Sequence, residues 1–327
     1  MRRRDFMKVV AVSAITWSIL ARAQQAKIPT IGILWHAGSA DEEAIYLGAL
    51  RQGLKDFGYV DGQNLRLEMR FPAEQYDRFF ILARELVALK PDLIVTAAGI
   101  AAIAASQATK TIPIVSVSIP DPIGSKLAVS LNRPGGNLTG MSNMQTDLTA
   151  KRVELLKQAV GLSRVALLVN TSAAGLARQY SEEGQAAGQR LGLSLEVVGV
   201  RGPNELEGAF DKIAQDQLQG VVIPVDGVFY AERKRLADLA LPRGLPTIVF
   251  SKETLDAGAL MSYGANMIVM YRRAAFFIDK ILRDANPAEI PIEQPSKFEL
   301  IINNRTAKAL HLTIPSSFLV AADEVLE

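Results

Sequence analysis

The residues of this sequence best suited to chemistry are polar side chains that come directly after apolar, strand-like stretches. Asp121 and Asp226 can each accept hydrogen bonds from an ammonium or hydroxyl group. An Asp shortly before a helix is more often an N-cap than a ligand contact, so both interpretations stay open. Gly99 permits close approach of the backbone, and the N–H groups after it can hold a carboxylate. These groups predict a site for a small polar ligand.

Aromatic residues near the same strand ends can supply flat apolar surfaces to such a ligand. Trp35 lies at a strand end, where burial in the core is an equal alternative. Phe229 and Tyr230 either reach the ligand or pack the helix that follows them. The predicted ligand-binding residues are Trp35, His36, Ser39, Gly99, Ile100, Ser118, Asp121, Asn170, Asp226, Phe229 and Tyr263.

The sequence contains few of the motifs that indicate catalysis or metal binding. There is no cysteine, which excludes disulfides, thiolate nucleophiles and cysteine metal sites. The two histidines, His36 and His311, are far apart, and neither has the spacing of a metal ligand. Nucleophile-elbow, Walker A and G-x-G-x-x-G motifs are absent, and the run 41–43 reads as a solvated helix start. We predict no catalytic residue, no metal and no cofactor; an enzyme that uses the cleft carboxylates is a less favoured alternative.

Two similar halves of the chain must position these residues. Residues 30–116 alternate apolar strands with helices, and residues 164–250 repeat that order. Continuous apolar strands between helices are typical of parallel sheets that are covered on both faces. The sequence therefore predicts an α/β protein with two similar doubly wound parallel-sheet lobes.

The predicted lobes are joined by a hinge that the chain crosses more than once. A turn-rich segment at 131–137 and two later prolines, Pro287 and Pro291, mark the crossings. Lobe 1 is predicted at 28–138 plus 265–290, and lobe 2 at 139–264 plus 291–327. Ligands bind outside the carboxyl ends of strands in open α/β sheets. Six loops are therefore expected to line one cleft: residues 35–40, 97–100, 118–123, 170–175, 224–230 and 251–254.

The first 23 residues are typical of an export signal. Four basic residues precede an apolar run at 9–20, and Ala21-Arg22-Ala23 forms a cleavage site. A membrane anchor is the alternative, but a run of 12 residues is well below the roughly 20 needed to span a bilayer. Residues 3–8 resemble the twin-arginine motif, and the general export route stays open as an alternative. The protein is expected to be periplasmic after cleavage behind Ala23.

Cleavage also changes the interpretation of the charge. The whole chain carries +2, whereas the signal carries five basic residues and one acidic residue, so the remaining chain carries −2. The apparent basicity therefore belongs to the signal, and nucleic acid is not a predicted partner.

Several segments carry a resemblance to a known family. They include LRQGLK at 50–55, SLNRPGGNLTG at 130–140, KRVELL at 151–156 and QPSKFELIIN at 294–303. With these segments the chain resembles ABC transporter substrate-binding proteins, in the group that includes tryptophan/tyrosine-type binding proteins. The resemblance implies the type I periplasmic binding protein fold, solute capture and no catalysis.

The sequence departs from the family pattern at two predicted cleft loops. Many members have Asn-Pro where this chain has Asn170-Thr171, and a Gly-Gly-Thr-Pro-like run near residues 98–101. The chain keeps the family's Asp121-Pro122. The ligand is therefore expected to be an amino acid or a related compound that can differ from those of characterised relatives.

These observations predict a monomeric solute-binding component of an ABC importer, with an inner-membrane permease and its ATPase as partners. A ligand-sensing module that presents its closed form to a receptor is the alternative. A LacI-like regulator would share the fold, but here the amino terminus is a signal and not a helix-turn-helix.

Overall fold

Strands and helices alternate along residues 28–327, the part of the chain that this computed structural model describes. The predicted signal lies outside these residues. The strands are β1 (Thr30–Leu34), β2 (Arg66–Arg70), β3 (Leu93–Thr96), β4 (Ile114–Ile119), β5 (Leu138–Ser142), β6 (Arg164–Asn170), β7 (Ser194–Val200), β8 (Val221–Val222), β9 (Thr247–Val249), β10 (Met261–Ala265), β11 (Phe298–Asn303) and β12 (Glu324–Leu326).

The helices connect and cover these strands. They are α1 (Ala44–Asp56), α2 (Tyr76–Ala88), α3 (Gly99–Ala108), α4 (Leu148–Val160), α5 (Ala174–Leu191), α6 (Leu206–Gln215), α7 (Gly227–Ala231), α8 (Arg233–Ala240), α9 (Lys252–Asp256), α10 (Met267–Leu282), α11 (Asn304–Ala309) and α12 (Ser316–Ala321). None of the helices in the described range is both long and apolar enough to span a membrane.

The strands form two sheets with the same doubly wound order. The first sheet runs β2-β1-β3-β4-β5, and all its pairs are parallel. The second runs β7-β6-β8-β9-β10-β11-β12, and its only antiparallel pair in the described residues is β10 with β11. The first five strands of the second sheet repeat the order of the first, which confirms the predicted pair of doubly wound lobes. We call the part built on the first sheet lobe 1 and the part built on the second sheet lobe 2.

The strands at the centre of each sheet are apolar throughout because helices cover both faces. In β6, Val165 and Leu167 belong to the core on one face, and Ala166 and Leu168 belong to the core on the other. Successive side chains of a strand point to opposite faces, so an uninterrupted apolar strand fills two cores at once.

The chain crosses between the lobes three times within the described residues. After β5 it enters lobe 2 at α4, which packs against β8 and β9. After β10 it returns to lobe 1 at α10, which packs against α1 and β4. The hydroxyl of Thr139 donates to the carbonyl oxygen of Ile290 at 2.8 Å, and beyond Glu293 the chain enters lobe 2 again as β11. This confirms the predicted multi-crossing hinge.

The predicted lobe ranges place the first boundary at residue 138, whereas β5 extends the first sheet to Ser142. A glycine makes this pairing possible. A Cβ at Gly140 would lie 2.0 Å from the carbonyl oxygen of Ser116 on β4, and its φ is +132°. Only glycine permits that approach. The other limits of the predicted ranges stay a prediction.

Candidate ligand-binding site

A cavity with an empty volume of about 890 Å³ lies between the lobes, at the carboxyl ends of both sheets. The strand order reverses between β1 and β3 in the first sheet and between β6 and β8 in the second, so the loops that follow these strands diverge and leave a crevice. The volume includes space that is open to solvent, and the mixed polar and aromatic lining of the cavity suits a small molecule. The cavity is lined by His36, Glu43, Tyr46, Glu74, Tyr76, Phe79, Ala98, Gly99, Ile100, Ser118, Pro120, Asn143, Asn170, Ser172, Ala173, Leu176, Val225, Asp226, Gly227, Tyr230, Phe250, Met267 and Tyr271.

Six of the residues predicted as ligand contacts come together in this cavity. Lobe 1 contributes four of them and lobe 2 contributes two: His36, Gly99, Ile100, Ser118, Asn170 and Asp226. They come from loops that are far apart in sequence, and the parallel strands bring these loops to one edge of each sheet.

The other five predicted residues lie elsewhere. Trp35 is buried at 1% exposure behind the cavity, and Ser39 lies half-buried in the turn before α1. Phe229 is fully buried in the core of lobe 2, because the turn of α7 directs its neighbour Tyr230 to the cavity instead. Tyr263 is half-buried and packs against Phe298, with 6.0 Å between the ring centroids.

The fifth residue, Asp121, lines an adjoining cavity of about 820 Å³. Its carboxylate accepts hydrogen bonds from the N–H groups of Ile123 and Gly124, so it stabilises its own turn. The second carboxylate oxygen accepts a hydrogen bond from Nε2 of Gln179 on α5, at 2.8 Å. Asp121 therefore links lobe 1 to lobe 2 at the rim of the cleft.

His36 lies between two carboxylates that the sequence did not reveal as site residues. Its Nε2 is 3.0 Å from Oε2 of Glu43, and its Nδ1 is 2.7 Å from Oε1 of Glu74. Burial lowers the pKa of His36, but the negative charges and hydrogen bonds of Glu43 and Glu74 outweigh burial and hold that pKa well above its usual range. The imidazole is therefore protonated at neutral pH.

Glu43 was expected on a solvated helix start, and the structure corrects this. It is only 2% exposed, and its Oε2 accepts a hydrogen bond of 2.6 Å from Nε1 of Trp35. A run of carboxylates at 41–43 resembles any helix start, and only the tertiary contacts with Trp35 and His36 bury the third member.

Glu74 extends from lobe 1 to lobe 2. Its backbone has φ +57°, and its N–H donates to the carbonyl oxygen of His36 at 3.0 Å. Its carboxylate lies against Gly227, where an added Cβ would be 2.1 Å from Oε2 of Glu74. Glycine at 227 therefore makes room for a carboxylate of the opposite lobe.

Asp226 is next to Gly227 and shares this corner of the cavity. It caps α7, accepting from the N–H of Val228 at 2.9 Å, and it accepts from Nδ2 of Asn170 at 3.1 and 3.2 Å. Burial, and after it the negative charge of Glu74, raises the pKa of Asp226 to about 6. Asp226 caps α7 and also lines the cavity, so its two predicted roles, N-cap and cavity-facing acceptor, are compatible.

The loops after β3 and β4 of lobe 1 offer hydrogen-bond donors to the cavity. Helix α3 begins at Gly99 without a side-chain cap, after Ala98 with φ +112°. The first N–H groups of an α-helix have no partner within the helix and attract anions. Beside them Ser118 accepts a hydrogen bond of 2.5 Å from Nδ2 of Asn143.

Aromatic rings cover the hinge side of the cavity. Tyr46 stacks on Tyr271 with 5.1 Å between centroids and lies 5.5 Å from Tyr230. Tyr230 in turn lies 6.5 Å from Phe250. The hydroxyl of Tyr46 donates to Oε2 of Glu253 on α9 at 2.8 Å, which ties α1 of lobe 1 to lobe 2. Such rings suit an apolar or aromatic part of a ligand.

Metal ligands do not cluster in the described part of the chain, where no group of three or more His, Asp or Glu side chains could hold a metal ion. The cavity thus offers an acidic corner, an uncapped helix start and an aromatic wall. It can bind a small molecule that carries both an ammonium and a carboxylate.

Three comparisons with known proteins fit this geometry. A family model described as ABC transporter substrate binding protein matches residues 27–326. A tyrosine-binding protein from Clostridioides difficile (strain R20291) is 26% identical over 264 residues, which cover 80% of this chain and 75% of that protein.

Solved structures share the fold over most of its length. One is the ABC domain in complex with L-Trp from Streptococcus pneumonia, with a TM-score of 0.83, 26% identity, and coverage of 91% of this chain and 99% of the other. Another is a conserved domain protein from Vibrio cholerae, with a TM-score of 0.85, 24% identity, and coverage of 91% and 100%.

Proposed function

Because this chain belongs to the family of ABC transporter substrate binding proteins, we propose that it is the extracytoplasmic solute-binding component of an ABC importer. Its ligand on this proposal is an amino acid with an aromatic or large apolar side chain. The observation that carries the proposal is the cavity between the lobes, which is lined both by an acidic corner and by an uncapped helix start.

The charge pattern of the cavity supports an amino acid. Asp226 and Glu74 suit the ammonium, and the N–H groups at Gly99 and Ile100 suit the carboxylate. The rings of Tyr230 and Tyr271 suit the side chain. The names of the relatives, tyrosine-binding for one and in complex with L-Trp for another, support the same ligand class.

Closure of the lobes is the step that a transporter would recognise. The hydrogen bonds of Tyr46 with Glu253 and of Asp121 with Gln179 join opposite lobes, and the second lies at the rim, where opening of the cleft would break it. A ligand that contacts both lobes stabilises this form over the open one. The permease and its ATPase are then the partners of the closed form, and the protein acts as a monomer.

A thermal-shift screen tests the proposed function. Residues 24–327 are mixed with amino acids, small carboxylates, sugars and nucleosides, and the melting temperature is recorded. A ligand at a hundred times its dissociation constant adds about 2.7 kcal/mol to the free energy of unfolding. We expect a clear shift with L-tyrosine or L-tryptophan and no turnover of the ligand. No shift with any solute would contradict solute binding, and consumption of the ligand would indicate an enzyme.

Export is tested separately with a reporter. Residues 1–23, which lie outside the described residues, are fused to a cytoplasmic reporter protein. We expect the reporter in the periplasm, and an Arg3→Lys, Arg4→Lys fusion distinguishes the twin-arginine route from the general route. A reporter that stays in the cytoplasm would contradict the export signal.

A further inference from the structure

We propose that the cavity beside Asp121 is a second subsite, which takes a residue attached to the carboxyl group of the amino acid. On this proposal the protein captures dipeptides with an aromatic first residue as well as the free amino acid. The inference rests on the proposed function and extends its ligand class. We call the cavity with the acidic corner the first chamber and the adjoining cavity beside Asp121 the second chamber.

The two chambers are continuous along one border. The residues that line both of them come from both lobes: Tyr76, Gly99, Ile100, Pro120, Ala173 and Leu176. The second chamber has a volume of about 820 Å³, which includes space open to solvent, and the rest of its lining belongs to it alone. A ligand in the first chamber can therefore extend across this border.

The carboxyl group of the ligand lies at this border on the proposed function. The N–H groups at Gly99 and Ile100, which suit that carboxylate, belong to residues that line both chambers. Asp226, Tyr230 and Tyr271, which suit the ammonium and the side chain, line only the first chamber. A peptide carbonyl oxygen can accept the same N–H donors as a carboxylate oxygen. Of the three groups on the α-carbon, the carboxyl group is therefore the one from which the ligand can be lengthened into the second chamber.

The lining of the second chamber suits an apolar side chain. Ile103 of α3, Ile119 at the end of β4 and Leu176 of α5 contribute aliphatic surface from both lobes. Tyr76 at the border is 40% exposed, so a ligand can still cover part of its ring. Covering such apolar surface removes it from water and favours binding.

The charges of the second chamber differ from those of the first. No Lys or Arg is among the described residues that line the first chamber, whereas Arg178 of α5 lines the second. The side chain of Arg178 is 75% exposed, and its Nε is 3.9 Å from Oε1 of Glu182, so it can turn to another carboxylate. The carboxylate of Asp121 is already occupied by its own turn and by Gln179. The second chamber therefore suits the terminal carboxylate of a dipeptide, and the acidic corner of the first suits its ammonium.

The test compares four ligands by calorimetry on residues 24–327. They are L-tyrosine, L-tyrosyl-L-leucine, L-tyrosyl-L-leucinamide, which lacks the terminal carboxylate, and L-leucyl-L-tyrosine, which has the reverse order. Two variants, Gly175→Leu and Ile103→Trp, add bulk at residues that line only the second chamber. An added Cβ at Gly175 meets no atom within 4 Å, so the fold tolerates that change. Gly208→Leu on α6 is the matched control, because it is equally open and lines neither chamber.

We expect L-tyrosyl-L-leucine to bind the parent protein at least as tightly as L-tyrosine, because its leucine side chain covers apolar surface of the second chamber. L-Leucyl-L-tyrosine should bind more weakly, since it places leucine against the aromatic rings. Gly175→Leu and Ile103→Trp should each weaken L-tyrosyl-L-leucine by roughly tenfold, the scale of overpacking a filled site. Both variants should keep the parent affinity for L-tyrosine, which also shows that they fold, and Gly208→Leu should change nothing.

The role of Arg178 is tested by the amide. Arg178→Gln should weaken L-tyrosyl-L-leucine by about two- to fivefold, the range for an exposed ion pair, and leave L-tyrosyl-L-leucinamide unchanged. Arg190→Gln, exposed on the same helix, is the control. An equal effect of Arg178→Gln on the acid and on the amide would contradict the contact with the terminal carboxylate.

Three results would overturn the second subsite and leave solute binding standing. One is the absence of measurable binding of L-tyrosyl-L-leucine, and another is equal affinity for the two orders of the dipeptide. The third is an unchanged affinity for L-tyrosyl-L-leucine in both Gly175→Leu and Ile103→Trp. The proposed function itself fails if the solute library of the thermal-shift screen leaves the melting temperature unchanged.

Discussion

His36 is hydrogen-bonded to two carboxylates at once, and the ion pairs fix its charge. A single imidazole on a strand end says nothing about its partners, and the sequence predicted only that it lies in a cleft loop. In the structure its hydrogen bond orients the carboxylate of Glu74 toward the opposite lobe, and its ring lies between Glu74 and Glu43. His36 therefore positions the carboxylate of Glu74 at the cavity and compensates part of its charge.

The stability that His36 contributes should depend on pH. Its folded-state pKa lies well above the unfolded value of about 6.5, so its contribution is fully present below that value and is lost as the pH rises through the folded-state pKa. We expect the difference in free energy of unfolding between the parent protein and His36→Gln to be largest near about pH 6 and to shrink at alkaline pH. Urea unfolding measures it, with the exposed His311→Gln as control; a difference that grows with pH would contradict the ion pairs.

Arg152 is a second residue whose role only the structure reveals. It is fully buried on α4, its Nε donates to the carbonyl oxygen of Tyr263 at 2.9 Å, and its Nη2 donates to Oε1 of Gln145. Burial lowers the pKa of Arg152 to about 10, so it stays charged at neutral pH. Gln145 lies in the first crossing segment and Tyr263 in the strand before the second, so this guanidinium joins two of the hinge segments.

Replacing Arg152 should destabilise the fold. Arg152→Met leaves the carbonyl oxygen of Tyr263 and the amide of Gln145 without their donor in the interior, and each unsatisfied buried group costs about 1–3 kcal/mol. The neighbouring Lys151→Met removes an exposed ion pair with Glu154 and should cost less than about 1 kcal/mol. Urea unfolding compares the two; an equal effect would show that the buried contacts of Arg152 add nothing.

At the scale of elements, α1 and α10 pack against each other in lobe 1, to which the chain returns at α10. Gly53 of α1 faces the backbone of α10, and a Cβ there would lie 2.2 Å from the carbonyl oxygen of Arg272. The pair is extended at the surface by the ion pair of Arg272 with Asp56, at 2.7 Å. A glycine inside a helix is unfavourable by itself, and here the close approach of two helices explains it.

Two glycines of α1 provide a matched test of this contact. Gly53→Ala should destabilise the protein by about 1–3 kcal/mol because the new methyl group overpacks the helix pair. Gly48→Ala on the same helix meets no atom within 4 Å and should stabilise it by up to about 1 kcal/mol through helix propensity. Thermal unfolding gives both values, and effects of the same sign would contradict the packing.

At the scale of the whole molecule, hydrogen bonds across the cleft join the two lobes. Asp121 was predicted as a ligand contact, and the structure places it in the adjoining cavity with Gln179 of the other lobe at 2.8 Å. The pair can therefore change ligand affinity without touching the ligand, because it favours the closed form to which the ligand binds.

The effect of this pair on affinity can be separated from ligand contact. Asp121→Ala and Gln179→Ala should each weaken binding by about two- to tenfold, the range for one hydrogen bond. The double variant should be no worse than either single variant, since both remove the same contact. Gln185→Ala, exposed on the same helix, is the control. A much larger loss with Asp121→Ala alone would indicate direct ligand contact.

The sequence by itself determined the fold class and the end of each sheet where the cavity lies. The repeated alternation of apolar strands and helices is a local signal, and covered parallel sheets follow from it. Six predicted loop residues, Asp226 among them, reach the cavity for the same reason. Helix α4 and strand β10 escaped prediction, because both lie outside the two repeated stretches on which the prediction was based.

The tertiary structure alone decided which polar residues meet. Glu43 and Glu74 look like ordinary surface carboxylates in the sequence, and Phe229 looks no more buried than Tyr230. Glu74 and Gly227 become neighbours only because two sheets, each formed by strands distant in sequence, face each other across a closed hinge. Local patterns record which face of an element is apolar, whereas the partner of a buried charge depends on how whole lobes pack.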